Sequence, residues 1–179
     1  MTKDEILNNT MELLEGINYG YVDQDGNKII NSMENINKTY RVSSPTEVLE
    51  NKLGSCFDKV ELERTIFSEY YDVQSYALVR FPMVHSFIVL NDGKQYIYFE
   101  QSSPKMRGIY KFNSLEELLS YVLNKYISVN NIKNVDKLSL VKYDKLETGM
   151  TAKDLMKIFE SSTNILHSYL NKEESNKVY

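Results

Sequence analysis

The stretch that decides the fold is residues 73–99, which read VQSYALVRFPMVHSFIVLNDGKQYIYF. It contains three runs rich in β-branched and aromatic residues, a composition that favours strands: Val73–Phe81, Val84–Leu90 and Gln95–Phe99. The segment Asn91–Lys94 between the last two runs has Asp-Gly at its centre, which is a strong signal for a hairpin turn. Because strands joined by a short turn pair antiparallel, this stretch predicts the centre of an antiparallel sheet.

Helical patterns lie on both sides of these strands. Apolar spacing predicts a helix at 3–15 and another that begins near Cys56. Capping patterns predict three further helices, which begin at Ser44-Pro45-Thr46-Glu47, at Ser114 with Glu117, and at Thr151 with Asp154. The last of these is predicted to continue to Tyr169. We further predict a hairpin at Tyr19–Ile30, a loop at 31–40 and a strand at Lys137–Tyr143. Helices, then consecutive strands, then helix, strand and helix indicate an α+β fold with an antiparallel sheet packed against helices.

Composition narrows the possible functions. The chain has 179 residues, which predicts one domain over 1–170 and a frayed tail at 171–179. A net charge of −4 argues against nucleic-acid partners and against polybasic membrane binding. One cysteine excludes an intramolecular disulfide and a cysteine-rich zinc site, and two histidines exclude a three-histidine metal site. We therefore expect neither a metal nor an organic cofactor.

The first residues and the amino-acid composition suggest a cellular location and a source organism. Its first residues, MTKDEILNNT, are polar and do not resemble a signal peptide, and no apolar run approaches the ~20 residues that span a bilayer. A cytoplasmic protein with a reduced thiol is the expectation. Heavy use of Asn, Lys, Ile and Tyr without Trp is typical of an AT-rich genome, which favours a bacterium, a phage or another mobile element.

Three side chains form the one constellation that suggests chemistry. Cys56 follows Gly54-Ser55 at the predicted start of a helix, where the helix dipole and unpaired backbone N–H groups favour a thiolate. His85 opens an apolar strand and could act as a general base, and Glu100 ends the following strand. A hairpin centred on Asp92-Gly93 places His85 directly opposite Glu100, so the carboxylate could orient the imidazole.

Each of these residues also has an ordinary structural explanation. A single cysteine is most often a small buried apolar residue, a lone histidine at the start of an apolar strand is usually structural, and a glutamate at a strand end is usually solvated. The combination favours chemistry, because a structural role does not require the acid to fall in register with the histidine. A basic cluster of Lys105, Arg107 and Lys111 follows the acid and is interpreted first as ordinary surface.

The segments around these three residues resemble the transglutaminase-like superfamily. The resemblance rests on Gly54-Ser55-Cys56-Phe57-Asp58, His85-Ser86-Phe87 and Tyr98-Phe99-Glu100, and it covers about residues 43–112. It implies a cysteine at the start of a helix packed on an antiparallel sheet, with the histidine and the acid on adjacent strands. By this match Cys56 is the nucleophile, His85 the base and Glu100 the orienting acid. The chain departs from the family pattern in having Glu for the usual Asp and Phe57 for a frequent Trp.

Three functions remain open on these grounds. The first is a cysteine-dependent acyl hydrolase or transferase, peptidase- or amidase-like, that acts on a protein or peptide through a Cys56-His85-Glu100 triad and a thioester. The second is a non-catalytic inhibitor or adaptor that binds protein on the same fold. The third is a structural subunit with a buried Cys56. The sequence does not specify the substrate, the acyl acceptor or the oligomeric state.

Overall fold

An antiparallel sheet of five strands forms the centre of the structure, a computed structural model that describes residues 1–170. The eight strands of the described residues are β1 (Asn18–Val22), β2 (Lys28–Ile30), β3 (Leu53–Gly54), β4 (Asp72–Arg80), β5 (Met83–Asn91), β6 (Tyr96–Glu100), β7 (Gly108–Phe112) and β8 (Ser139–Tyr143). The large sheet has the order β7-β6-β5-β4-β8, and β2, β1 and β3 form a second, smaller sheet. The predicted α+β fold is confirmed.

Helices cover the sheet. They are α1 (Lys3–Glu15), α2 (Ile36–Thr39), α3 (Pro45–Asn51), α4 (Cys56–Phe67), α5 (Leu115–Val129), α6 (Ala152–Ser161) and a 3-10 turn at Leu166–Ser168. Within residues 1–170, no helix combines the length and the apolar character that crossing a membrane requires.

Some of the predicted element boundaries are wrong. The predicted loop at 31–40 contains α2, and the strand β7 was not predicted. The last helix ends at Ser161 and does not continue to Tyr169, because the hydroxyls of Ser161 and Ser162 both bond to the carbonyl oxygen of Ile158 and compete with the helical pattern. The prediction of a frayed tail at 171–179 lies outside the described residues.

The sheet is buried on both faces, as alternate residues of β5 show. Phe87 and Val89 pack with α5 in one apolar cluster, whereas Ile88 and Leu90 pack with α1 and α4 in another. All four side chains are almost fully buried. A strand with both faces covered needs apolar side chains on both faces, which explains why residues 86–90 show no alternation of polar and apolar side chains.

The start of α4 is held close to the small sheet. β1 and β3 pair in parallel, which places Tyr19 beside Gly54, two residues before Cys56. A Cβ atom on Gly54 would lie 3.3 Å from side-chain atoms of both Val48 and Asp58, tighter than ordinary van der Waals contact. The glycine therefore permits α3, β3 and α4 to approach closely at this point.

The hairpin of β5 and β6 has a different register from the one predicted. Asn91 pairs with Tyr96 and Ile88 with Phe99, so His85 is not directly opposite Glu100. The turn is longer than expected because the Asp92 carboxylate accepts hydrogen bonds from the backbone N–H groups of Lys94 and Gln95, each at 2.8 Å. The displacement is two residues, and an even displacement keeps every side chain on its face of the sheet. His85 and Glu100 are therefore diagonal neighbours on the same face.

Candidate active site

A capping box fixes the first turn of α4, where Cys56 is the first helical residue. Ser55 is the N-cap, and its hydroxyl accepts a hydrogen bond from the backbone N–H of Asp58. The Asp58 carboxylate in turn accepts the backbone N–H of Ser55 at 2.9 Å. These reciprocal bonds satisfy two of the N–H groups that a helix start leaves unpaired, and they set the direction in which the helix leaves Cys56.

Asp58 also anchors this turn to the preceding loop. Its Oδ1 accepts the hydroxyl of Tyr40 at 2.8 Å and the backbone N–H of Ser43 at 2.9 Å, and the side chain is fully buried. Burial raises the pKa of Asp58 to about 6, although its hydrogen bonds with Ser55, Ser43 and Tyr40 act in the opposite direction. The carboxylate therefore joins the loop at 40–43 to the first turn of α4 beside Cys56.

His85 and Glu100 are in direct contact. His85 Nε2 lies 2.5 Å from Glu100 Oε1. The same carboxylate accepts the hydroxyl of Tyr98 at 2.8 Å and the backbone N–H of Ser103 at 3.2 Å, so the buried Glu100 has three hydrogen-bond partners. Burial by itself would raise the pKa of Glu100, but the charge and the hydrogen bond of His85, with the Tyr98 bond, lower it below its ordinary value.

The imidazole of His85 lies beside two aromatic rings, and its pKa is raised. Its ring is nearly parallel to those of Tyr126 and Phe87, with centroids 6.1 Å and 6.3 Å away. Burial lowers the pKa of His85, but the charge of Glu100 and hydrogen bonds with Cys56 and Glu100 outweigh this effect and raise it to about 10. Because Nε2 contacts Glu100, Nδ1 is the ring nitrogen left for the thiol. Glu100 thus contacts His85 directly, and Cys56 lies near enough to affect the pKa of the imidazole.

Two neighbouring cavities border the candidate site, one beside Cys56 and the other beside His85. One, of about 560 Å³, is lined by Cys56 and by apolar side chains that include Phe57 and Phe159. The other, of about 580 Å³, is lined by His85 and by more polar residues that include Gln101. Tyr19, Met83 and Val84 border both cavities. Cys56 is only 3 % exposed and belongs to a buried apolar cluster with Phe57 and Phe159, and it also lines the first of these cavities.

Two further side chains at the site were not predicted. The charge of Cys56, burial and a hydrogen bond with Cys56 all raise the pKa of the Tyr19 hydroxyl. Lys59 is buried, its Nζ lies 5.6 Å from the centroid of the Tyr19 ring, and it donates to Gln101 Oε1 at 3.0 Å. Burial lowers the pKa of Lys59. Lys59 is one helical turn after Cys56, a spacing visible in the sequence, but only the pairing of β1 with β3 brings Tyr19 near.

Comparison with known proteins does not assign this site. No family model matches the chain, and no curated protein matches it significantly. Among residues 1–170, no group of three or more His, Cys, Asp and Glu side chains is arranged to hold a metal ion.

Replacing Glu100 by Gln is expected to lower the pKa of His85 from about 10 toward the 6.5 of an ordinary imidazole, since the amide cannot supply the negative charge. NMR titration of the imidazole resonances measures this change, with the exposed His167 as the internal control. In the original protein the His85 charge contributes stability that is complete below pH 6.5 and is lost as the pH rises through about 10. In urea unfolding, the free energy of unfolding of the original protein should fall by at most about 1.4 kcal/mol per pH unit over this range. The variant should lack this fall. Identical titration of His85 in both proteins would show that Glu100 does not support its charge.

Proposed function

We propose that this protein is a cysteine-dependent acyl hydrolase or acyltransferase, similar to transglutaminase-like enzymes, in which Cys56, His85 and Glu100 act as a triad. The observation that carries the proposal is the pair of contacts made by His85. One ring nitrogen lies 2.5 Å from Glu100, and the imidazole is near enough to Cys56 for the thiol to raise its pKa. A nucleophile, a base and a group that orients the base are the parts that covalent acyl transfer requires.

The mechanism follows from the charges of these groups. The His85 imidazolium stabilises a thiolate on Cys56, and the thiolate attacks the carbonyl carbon of an amide or ester. As the tetrahedral intermediate collapses, His85 gives its proton to the leaving nitrogen or oxygen, the bond from the carbonyl carbon to that atom breaks, and a thioester remains on Cys56. Neutral His85 then takes a proton from water or an amine, which attacks the thioester and releases the acyl group. Glu100 holds the ring in place throughout.

The negative charge of the tetrahedral intermediate needs hydrogen-bond donors beside Cys56. The first N–H groups of a helix have no partner within the helix, and Cys56 and Phe57 are the first two residues of α4. The Tyr19 hydroxyl, which interacts with the Cys56 side chain, is a third donor at the same place. We therefore propose these groups as the oxyanion site, a role in which preorganised donors contribute several kcal/mol.

A second function is supported by two exposed apolar side chains beside the apolar cavity. Phe81 and Met83, at the turn between β4 and β5, are 57 % and 51 % exposed, and both border that cavity. Exposed aromatic and methionine side chains are enriched where proteins bind one another. They suit an inhibitor or adaptor that holds a protein partner on this fold, as well as an enzyme that binds a protein or peptide substrate. For either function we propose a cytoplasmic location, where a thiol stays reduced.

Trapping the thioester tests the first function against the second. Brief incubation of the native protein with p-nitrophenyl acetate at neutral pH is expected to release p-nitrophenol in a burst and to leave one acetyl group on Cys56. Intact-mass spectrometry detects this group, and hydroxylamine should remove it because a thioester is labile to this amine whereas an amide is not. Cys56→Ala should show neither burst nor adduct, and His85→Gln should show a much slower burst. A native protein that forms no adduct on Cys56 would contradict the enzyme and leave the binding function.

A further inference from the structure

The two cavities lie on chemically different sides of the proposed reaction. The nucleophile Cys56 lines the apolar cavity, and the proton donor His85 lines the polar one. In acyl transfer the acyl group stays with the nucleophile, while the leaving group departs toward the acid that protonates it. The apolar cavity is therefore on the acyl side and the polar cavity on the leaving-group side. This assignment rests on the proposed function.

Three cationic side chains line the polar cavity, and one of them, His85, is already paired with Glu100. Lys59, His85 and Arg107 line it, and Glu15 is the one carboxylate among the lining residues that the structure describes. Glu15 and Arg107 are exposed to solvent, whereas Lys59 is only 3 % exposed. The buried Lys59 favours an anionic ligand, because such a ligand supplies a charge that solvent cannot, and the exposed Arg107 at the mouth of the cavity can bind the same ligand.

The Arg107 side chain is available to bind an anionic ligand. Its Nε donates to the backbone oxygen of Gln101 at 2.9 Å, which fixes the guanidinium at the wall of the cavity. Among residues 1–170 it forms no ion pair with a carboxylate, whereas Lys111 of the same basic cluster is paired with Asp4 at 2.8 Å. Lys59 and Arg107 both donate to Gln101, Lys59 to its side-chain oxygen at 3.0 Å and Arg107 to its backbone oxygen at 2.9 Å, so the two cations flank one residue.

The apolar cavity favours a bulky apolar acyl group. Phe57, Phe159 and Met156 line it together with Cys56, and they offer an aromatic or branched aliphatic acyl group contacts that a short acyl group cannot make. Burial of such a group is favourable because it removes apolar surface from water.

We infer that the preferred substrate is a peptide or N-acyl amino acid with a bulky apolar group on the acyl side of the scissile carbonyl and an acidic amino acid as the leaving group. Lys59 and Arg107 bind the carboxylate of the leaving group in the polar cavity. His85 gives its proton to the leaving nitrogen as the bond from that nitrogen to the carbonyl carbon breaks.

Charge-matched alkylating probes test this inference without requiring turnover. Chloroacetyl derivatives of glutamate, glutamine and lysine, each as its C-terminal amide, react with a thiolate and extend the leaving-group side with negative, neutral or positive charge. The native protein should be alkylated at Cys56 about fivefold faster by the glutamate probe than by the isosteric glutamine probe, and more slowly by the lysine probe, which corresponds to one partly solvated ion pair. Arg107→Gln should remove most of the preference, and Arg107→Glu should reverse it.

The control is Lys111→Gln, which removes the same charge from the same basic cluster but outside the cavity, and it should keep the preference. Equal rates for the three probes on the native protein would overturn the inference while leaving a reactive Cys56 intact. A Cys56 that reacts no faster than a free thiol would contradict the proposed function instead.

Binding supplies a measurement that is independent of the thiol. Calorimetric titration of Cys56→Ala with N-phenylacetyl derivatives of glutamate, glutamine and lysine amides should give the same order of affinity, and the N-acetyl glutamate derivative should bind more weakly than the N-phenylacetyl one. If the glutamine derivative binds as tightly as the glutamate derivative, the inference is overturned whatever the reactivity of Cys56.

Discussion

Replacing His85 by Gln is expected to slow the alkylation of Cys56 by iodoacetamide at pH 6 by about 30-fold. An unperturbed thiol with a pKa of about 8.5 is only ~0.3 % ionised at this pH, so almost all of its reactivity depends on whatever stabilises the thiolate. In the proposed mechanism the positive charge beside the thiol is that of the His85 imidazolium, whose pKa is raised to about 10. The glutamine can still bond to Glu100 but cannot carry the positive charge.

The measurement is the rate of carbamidomethylation followed by intact mass, with the single cysteine leaving no ambiguity about the site. His167→Gln is the matched control, because it removes the other histidine from an exposed position. Circular dichroism of both variants verifies the fold. If His85→Gln and the native protein react at equal rates, the histidine does not activate the thiol and the triad is not functional.

Replacing Asp58 by Ala is expected to lower the free energy of unfolding by about 3–4 kcal/mol, because buried donors that lose their acceptor keep their desolvation penalty. The donors are the Tyr40 hydroxyl and the backbone N–H groups of Ser43 and Ser55. Urea unfolding at pH 7 measures the loss. Since these bonds hold the first turn of α4, alkylation of Cys56 should also slow in the folded variant.

The chain contains a matched control for this substitution. Thr151 and Asp154 form the same capping box at the start of α6, with the same pattern of hydrogen bonds, but these bonds are exposed to solvent. Asp154→Ala should therefore cost only about 1 kcal/mol, the ordinary value of a helix cap. Equal losses at the two positions would show that burial of Asp58 adds nothing to a simple cap.

The register of the β5–β6 hairpin gives a reason for glutamate at position 100, where the resembled family has aspartate. Glu100 is a diagonal neighbour of His85, and diagonal Cβ atoms are about 7–8 Å apart, against about 5 Å for directly opposite residues. The additional methylene of glutamate lengthens the reach of the carboxylate, which meets Nε2 at 2.5 Å. We expect aspartate at this position to leave a gap that water would fill.

Much of the secondary structure could be predicted because its signals are local. The caps at Ser44, Ser114 and Thr151 are in place, and each accepts the backbone N–H that its capping pattern predicts. The Asp25-Gly26 hairpin between β1 and β2 is also confirmed. The predictions that failed depended on the competition between neighbouring groups. The Asp92 side chain lengthened a turn that backbone preference alone makes short, and serine hydroxyls ended α6 early.

The sequence by itself determined the α+β fold, the start of a helix near Cys56 and the caps at Ser44, Ser114 and Thr151, because strand composition, capping patterns and turn signals act over a few residues. Only the tertiary structure decided the rest. Tyr19 reaches Cys56 through a parallel pairing across more than thirty residues, and Lys59 meets Gln101 between a helix and a strand end. The contrast between an apolar and a polar cavity likewise exists only after distant segments pack together. No local pattern encodes such contacts, since they form between residues that are far apart in the chain and are selected by the packing of the whole.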